Sequence, residues 1–511
     1  MKTDDTYFEN LLNRLNSALS EPHRGETACD AATSVELADD ASQISQAILD
    51  AVSQMRAEEG AALGQAITKP APRTAPQPLA NDLEVSSTPA PGEFWPLAPA
   101  DWAEMKLTTS AAEELTLKCL MSRGSVSGRE IADQIAIPFG MLSTLLNQLK
   151  ANRLVVHRGS AQLGDYIYQL SESGAEAAVR YSQQCAYDGA APITLQDYVD
   201  SVAQQSIHRH PPTFSEISRI FQDLVLSEEV LDQVGQAIRA GYGFFLYGES
   251  GNGKTSLAER VSRAFGNTIW IPRSLTIEGT IIRLFDPCNH VEVPPENKDG
   301  LYDQLKIDRR WVRILRPTIL VGGELTMDRL EIRPGSAPGV NEAPLQLKSN
   351  GGTLVIDDFG RQRMEPEELL NRWIVPLDRR YDFLSLSNGK TIQVPFDQLL
   401  IFSTNMQPHD LADEAFLRRI PYKIRAVDPT EAQFRELFRR EAQRVEIPYD
   451  EAVIDDLIQK HYVEGGRPFR CCHARDLLRQ VKHYCEFKQL PLEMTPERFA
   501  TAVRNYFAIM G

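Results

Sequence analysis

No stretch of this 511-residue chain holds about 18 consecutive apolar residues, so no segment reads as a membrane-spanning helix and no membrane insertion is expected. Cysteine is scarce. Seven residues, an odd number scattered along the chain, exclude a disulfide framework and fit reduced thiols. A basic excess is missing too: 54 Lys and Arg stand against 70 Asp and Glu, for a formal net charge of -16. That balance argues against a protein that coats nucleic acid non-specifically. The opening MKTDDTYFENLL is acidic where a secretory signal needs a basic start and an apolar run, so a cytoplasmic location is expected. Neither an H-E-x-x-H nor a G-x-S-x-G pattern occurs, which removes support for a fused protease or esterase. Cys471, Cys472, His473, His483 and Cys485 lack the paired C-x2-4-C spacing of zinc sites and read as buried thiols and imidazoles.

What is present is enough for real cores, at 42% hydrophobic and 24% charged residues, and the length predicts three or four folded units. Charge is unevenly spread. Residues 1–104 carry 6 basic and 17 acidic side chains, net -11. Prolines 70, 72, 76, 78, 89, 91, 96 and 99 remove backbone donors and fix φ, so this stretch reads as an extended spacer unable to join a sheet or helix. Before it, Tyr7, Phe8, Leu11, Leu12, Leu15 and Leu19, and then Ile44, Ile48, Val52 and Met55, recur at helical spacing. They predict a largely disordered tail with short amphipathic helices, or a tethered peptide that folds into a partner's groove.

From Met105 the pattern turns globular. Ser110–Arg123 and Ser127–Ile135 read as helices, and Pro138 opens a third with the apolar stripe Phe139, Leu142, Leu145, Leu146 and Leu149. LVVHRG and DYIYQLS then read as strands around a turn, followed by a helix from Glu172. Three helices and a two-stranded wing over residues 105–187 resemble a winged helix-turn-helix. The module holds eight basic and seven acidic side chains, so DNA binding ranks below protein docking. Ser143, Thr144, Asn147, Gln148 and Lys150 are the residues that could read bases; Arg153, His157 and Arg158 could meet phosphates.

The strongest signal lies at FFLYGESGNGKTSL, residues 244–257. The apolar run Phe244–Tyr247 predicts a buried parallel strand, and Ser256–Phe265 an amphipathic helix. Between them Gly248, Glu249, Ser250, Gly251, Asn252, Gly253, Lys254, Thr255 and Ser256 form a P-loop, G-x4-G-K-T. Its glycines let backbone N–H groups turn around phosphate oxygens, Lys254 would span the β- and γ-phosphates of ATP, and the Thr255 hydroxyl would ligate Mg²⁺. About a hundred residues on, Gly352-Thr-Leu-Val-Ile-Asp357-Asp358-Phe359 predicts a second buried strand ending in two carboxylates. Asp357 would hold Mg²⁺, and Asp358 would polarise water.

Three further features complete an ordered set. Leu399–Asn405 is a third strand-like run with a polar end, Glu414–Ile420 places Arg418 and Arg419 at a helix end, and His473-Ala-Arg475 opens a helix in the C-terminal helical stretch. Together the five resemble the AAA+ ATPases over residues 214–511. The resemblance implies an α/β P-loop core with a parallel sheet and a C-terminal helical lid. It makes Asn405 sensor 1, Arg419 the arginine finger (Arg418 in reserve) and Arg475 sensor 2. It also implies a ring of like subunits, usually a hexamer, because an in-trans finger completes each site. Where the family has Asp-Glu, this chain has Asp357-Asp358, one methylene shorter, which points to slow turnover. The segment Pro317–Pro344 resembles the β-hairpin inserts of MoxR-like and enhancer-binding members. The aromatic-apolar-Gly loop of threading unfoldases is not apparent between Trp270 and Leu284.

The expected organisation is therefore a tail (1–104), a winged-helix-like domain (105–187), a linker (188–213), an AAA+ nucleotide-binding domain (214–427) and a helical lid (428–511). The leading function is an oligomeric remodelling ATPase acting on a protein client. The alternatives are an ATP-dependent DNA-binding regulator using the winged helix and a nucleotide-gated scaffold with little turnover.

Overall fold

Strands buried on both faces need side chains that are apolar without interruption, and FFLY, TLVI and LLIFST meet that demand. In the computed structural model, which describes residues 94–294 and 307–508, these runs become central strands of a five-stranded parallel sheet. In chain order the strands are β1 (Phe244–Tyr247), β2 (Thr318–Val321), β3 (Thr353–Ile356), β4 (Leu399–Thr404) and β5 (Tyr422–Arg425). Their spatial order is β2-β3-β4-β1-β5, and every pairing is parallel.

Alternate side chains leave each strand on opposite faces, so each face builds its own core. Phe245 joins Phe402, Phe359 and Trp373 on one side; Phe244 and Leu246 join Val355, Ile401 and the helix Glu228–Ala240 on the other. That helix is capped by Ser227, which accepts from the Val230 N–H, and ends at Gly241 with φ +64. The expected α/β core with a parallel sheet and a C-terminal helical lid is present. The lid helices Glu431–Arg444, Glu451–Ile458, Cys471–Lys488 and Pro496–Tyr506 close around Phe434, Phe438, Leu477, Leu478 and Phe499.

Four expectations need correction. The tail was to run free to residue 104, yet Phe94 packs on Trp311 at 5.2 Å and Trp95 on Trp270 at 5.3 Å between ring centroids. Leu97 bridges to Ile307, and Trp102–Met105 is helical with Asp101 as its cap. Burying these aromatic surfaces outweighs what the prolines forbid. The two amphipathic stretches at Tyr7–Leu19 and Ile44–Met55, and the prolines up to 91, lie outside the described residues. Second, the helix after the P-loop is α only over Lys254–Ala258 and continues as a 3-10 turn, Val261–Phe265. Third, Pro317–Pro344 is not one hairpin. Its Thr318–Val321 is the edge strand β2, and only Arg333–Pro334 and Val340–Glu342 pair antiparallel.

The fourth concerns the segment expected as a linker. Ile193–Thr194 pairs in parallel with Ser274–Ile277, and Leu195–Gln204 is a helix packed on the same layer. A second sheet results, with Ser274–Ile277 and Thr280–Arg283 joined at Glu278-Gly279, both at positive φ as a tight two-residue hairpin requires.

Residues 109–151 form three helices, the second entered through a capping box between Ser127 and Glu130. Strands Val155–Ser160 and Tyr166–Leu170 follow, and the unforeseen Ser125–Ser127 pairs with the latter. This module is bolted to that second sheet, most of which is inserted between β1 and β3, and to the segment that enters the strand Trp311–Leu315, which pairs with Thr268–Pro272. Arg310 pairs with Asp308, both buried, and donates to the Met105 carbonyl at 2.9 Å. Tyr187 donates to the Ala190 carbonyl and meets Ser274 Oγ at 2.8 Å. Among the described residues, no helix is long and apolar enough to cross a membrane.

The lid core buries an imidazole. His473 is buried, its Nδ1 3.0 Å from the Tyr462 hydroxyl, and burial drops its pKa from 6.5 to about 4. The folded imidazole therefore stays neutral where the unfolded one protonates. Its stabilisation is complete above pH 6.5 and is lost as pH falls toward 4, by at most about 3 kcal/mol. Chemical denaturation across that window should show the slope in the wild type and a flattened one in His473→Gln.

Candidate nucleotide site

Three adjacent strands end at one edge of the sheet. Thr404 of β4 lies opposite Tyr247 of β1, and Ile356 of β3 opposite Phe402. The residues that follow each strand are therefore delivered to the same place, the usual position of ligands in parallel sheets. After β1 the chain enters the P-loop, with Gly248, Gly251 and Gly253 at φ of +138, +88 and +74. A Cβ on Gly248 would stand 2.4 Å from the Ala426 carbonyl, so this turn admits glycine alone.

Thr255 Oγ1 donates to Asp357 Oδ2 at 2.9 Å, joining residues 102 positions apart. The two groups assigned to Mg²⁺ thus touch each other, a hydroxyl and a carboxylate of the oxygen chemistry that the ion takes. Lys254 Nζ donates to the carbonyls of Gly248 at 2.9 Å and Glu249 at 3.1 Å. Burial lowers its pKa, the carboxylates of Asp357, Asp358 and Glu249 oppose that fall, and Arg470 adds to it. An ammonium half withdrawn from water among glycine-rich backbone can bind a polyphosphate at little further desolvation cost. The donor set and the glycine geometry fit a nucleoside triphosphate with its divalent ion.

Asp358 is exposed and sits at φ +48, a left-handed conformation that costs a non-glycine residue roughly 1 kcal/mol or more. Asn405 is exposed directly after β4, between the two strands that carry the P-loop and the carboxylates. These residues stand together at one edge of the sheet. The two arginines are placed differently. Arg419 Nε donates to Asp378 at 2.9 Å and its guanidinium to the Ala415 carbonyl at 2.7 Å, while Arg418 is exposed. Arg475 donates to its neighbour Asp476 at 2.8 Å, a bond that raises its pKa.

The lid reaches the P-loop through a residue that motif reading passed over. Arg470, immediately before the helix Cys471–Lys488, pairs with Asp428 and, at 3.4 Å, with Glu249. Asp428 also accepts from Asn252 at 2.7 Å, and the Cys472 N–H donates to the Gly251 carbonyl at 2.9 Å. The signal that could have found it is the cluster Arg467-Pro-Phe-Arg470 just ahead of a helix N-terminus. The neighbouring Cys471 thiol is pushed by burial up to about 11, which makes it a poor nucleophile.

Comparison with known proteins adds little to this geometry. A family model described as a domain of unknown function (DUF8689) matches residues 430–505, the helical lid. No curated protein matches. Among solved structures, the RuvB Holliday junction branch migration motor of Thermotoga maritima overlaps at 14% identity and TM-score 0.31, covering 55% of this chain and 69% of that one. NtrX from Brucella abortus overlaps at 15% identity and TM-score 0.34, covering 66% and 67%. A structure of NtrX in complex with ATP gives 14% identity and TM-score 0.33, covering 56% of each chain. Overlaps of this size leave the reading to the residues themselves.

Removing Arg470 should loosen the lid from the loop. The pair is partly exposed, so Arg470→Ala is expected to cost on the order of 1 kcal/mol locally. Amide hydrogen exchange at residues 249–253 and 470–475 should speed up roughly fivefold, with the rest of the lid unchanged.

Proposed function

We propose that this chain is an AAA+ ATPase that converts ATP and water into ADP and phosphate with Mg²⁺. The observation that carries the reading is the 2.9 Å contact between Thr255 and Asp357 beside Lys254. A P-loop hydroxyl and a strand-end carboxylate meet there as a shared metal site demands. The backbone of Gly248–Ser256 and Lys254 would hold the phosphates, and Thr255 with Asp357 would hold the ion. When bound, the ion supplies charge neutralisation on the phosphate oxygens. Asp358 and Asn405 would align the attacking water, and Arg475 and Arg470 would report nucleotide to the lid.

Arg419 is assigned to the γ-phosphate of a neighbouring subunit, which makes a ring, with a hexamer as the working size, the active form. On this reading its bond to Asp378 is exchanged when subunits meet. The module of residues 105–187 is read as a winged helix that docks a protein client. Its basic residues support that over duplex DNA: Arg158 bonds Gln169, Arg129 lies over Phe139, and Lys150 meets His157. The buried junction with the inserted sheet supports transmission of force to the module rather than a loose tether. The shorter Asp358 favours slow turnover, which keeps a nucleotide-gated scaffold as the second reading. The protein is expected to work in the cytoplasm.

Phosphate release by purified full-length protein is the test. Lys254→Ala should lose at least about a hundredfold in turnover and most of its affinity for a fluorescent ATP analogue. Asp358→Asn should keep the analogue bound while turnover falls by a similar factor. Wild-type behaviour of Lys254→Ala would remove the P-loop assignment.

A further inference from the structure

Between β3 and Arg361 the backbone folds through a left-handed turn whose polar groups are almost all accounted for by named partners. The Asp357 N–H donates to the Val321 carbonyl, the Asp358 N–H to Asp357 Oδ1, the Phe359 N–H to the Ser403 carbonyl and the Arg361 N–H to the Asp358 carbonyl. Thr404 Oγ1 donates to the Phe359 carbonyl and accepts from the Met406 N–H, tying this turn to the one that carries Asn405. The Asp357 carbonyl, the Gly360 N–H and the second lone pair of the Asp358 carbonyl are met by one side chain. Gln362 Nε2 donates to the carbonyls of Asp357 and Asp358, 3.1 Å each, and Oε1 accepts from the Gly360 N–H at 2.8 Å.

Only an amide offers two donors and an acceptor in one plane, and two carbonyls facing one N–H fix which way round it lies. Without it, the Asp357 carbonyl and the Gly360 N–H would turn to water and the Asp358 carbonyl would keep only the Arg361 N–H, so fewer bonds would hold Asp358 at φ +48 against the ordinary negative range. Such a change re-aims the exposed carboxylate, whose charge acts on Lys254. Position 360 must be glycine, since at φ +99 a Cβ there would stand 2.6 Å from Leu411, and a glycine gives the turn no stiffness of its own.

We propose that Gln362 is a positioning residue for hydrolysis: its side-chain amide holds the strained turn in which Asp357 meets Thr255 and Asp358 stays free for water. The proposal rests on the ATPase reading above.

The test uses the full-length protein with ATP and Mg²⁺, measuring kcat, KM and the affinity for a fluorescent ATP analogue. Gln362→Ala should lose about tenfold or more in kcat with analogue affinity within about twofold, since a small misplacement costs chemistry rather than binding. Gln362→Glu, nearly the same shape, should be equally impaired at about pH 8. Its activity relative to wild type should then rise toward pH 6, where a carboxyl facing two carbonyls takes up a proton and regains a donor. Wild-type kcat in Gln362→Ala, or in Gln362→Glu at pH 8, overturns the proposal. So does a loss in Gln362→Ala confined to nucleotide affinity. If Gln362→Ala does not fold, Gln362→Glu alone decides. Wild-type turnover no higher than that of Lys254→Ala would instead sink the ATPase reading, and this proposal with it, before any Gln362 variant is compared.

Discussion

Thr255 and Asp357 meet because two strands of a buried parallel sheet, with one strand between them, end at the same edge, Ile356 level with Phe245 near the end of β1. That register is set by burial. Phe244, Leu246, Val355 and Ile401 fill one core while Phe245, Leu354, Ile356 and Phe402 fill the other. A slip of one residue along any strand would exchange the two faces and withdraw its terminal residue from the edge. The contact between the hydroxyl and the carboxylate is thus the visible result of hydrophobic packing several residues away. The same constraint explains why the P-loop can hold three glycines at positive φ: the strand before it anchors a loop that has little packing of its own.

Around this edge the molecule spends conformational strain where it bears on chemistry. Asp358 adopts a left-handed backbone although it is not glycine, and the neighbouring strand holds it there through Ser403 and Thr404. The lid approaches the loop through charge, with Arg470 between Asp428 and Glu249, rather than through apolar contact. A polar seam of this kind can open without exposing a core.

The N-terminal module and the inserted layer make a contrasting, buried junction. The buried Arg310–Asp308 pair reaches the Met105 carbonyl, and Val340 of the insert joins the module's own core. Nothing in the residues around 188–213 announced this. Polar spacing reads as a linker when the partner strand, Ser274–Ile277, lies some eighty residues away. The aromatics Phe94 and Trp95 were likewise read with the prolines beside them, because their partners Trp311 and Trp270 are remote in the chain.

Local rules carried the parts of this protein whose causes are local. Continuous apolar runs named β1, β3 and β4 and the G-x4-G-K-T spacing named the loop, because propensity and glycine geometry act within a few residues. Which arginine would face the loop was a different kind of question. The chain alone offered Arg475 by motif, and the fold put Arg470 against Glu249 while turning Arg475 to Asp476. The Gln362 clamp was equally invisible, since its worth depends on a φ angle and two carbonyls that exist only once β3 is buried. Side-chain partnership across a turn or between domains is decided by where packing brings the backbone, and that is a property of the whole fold.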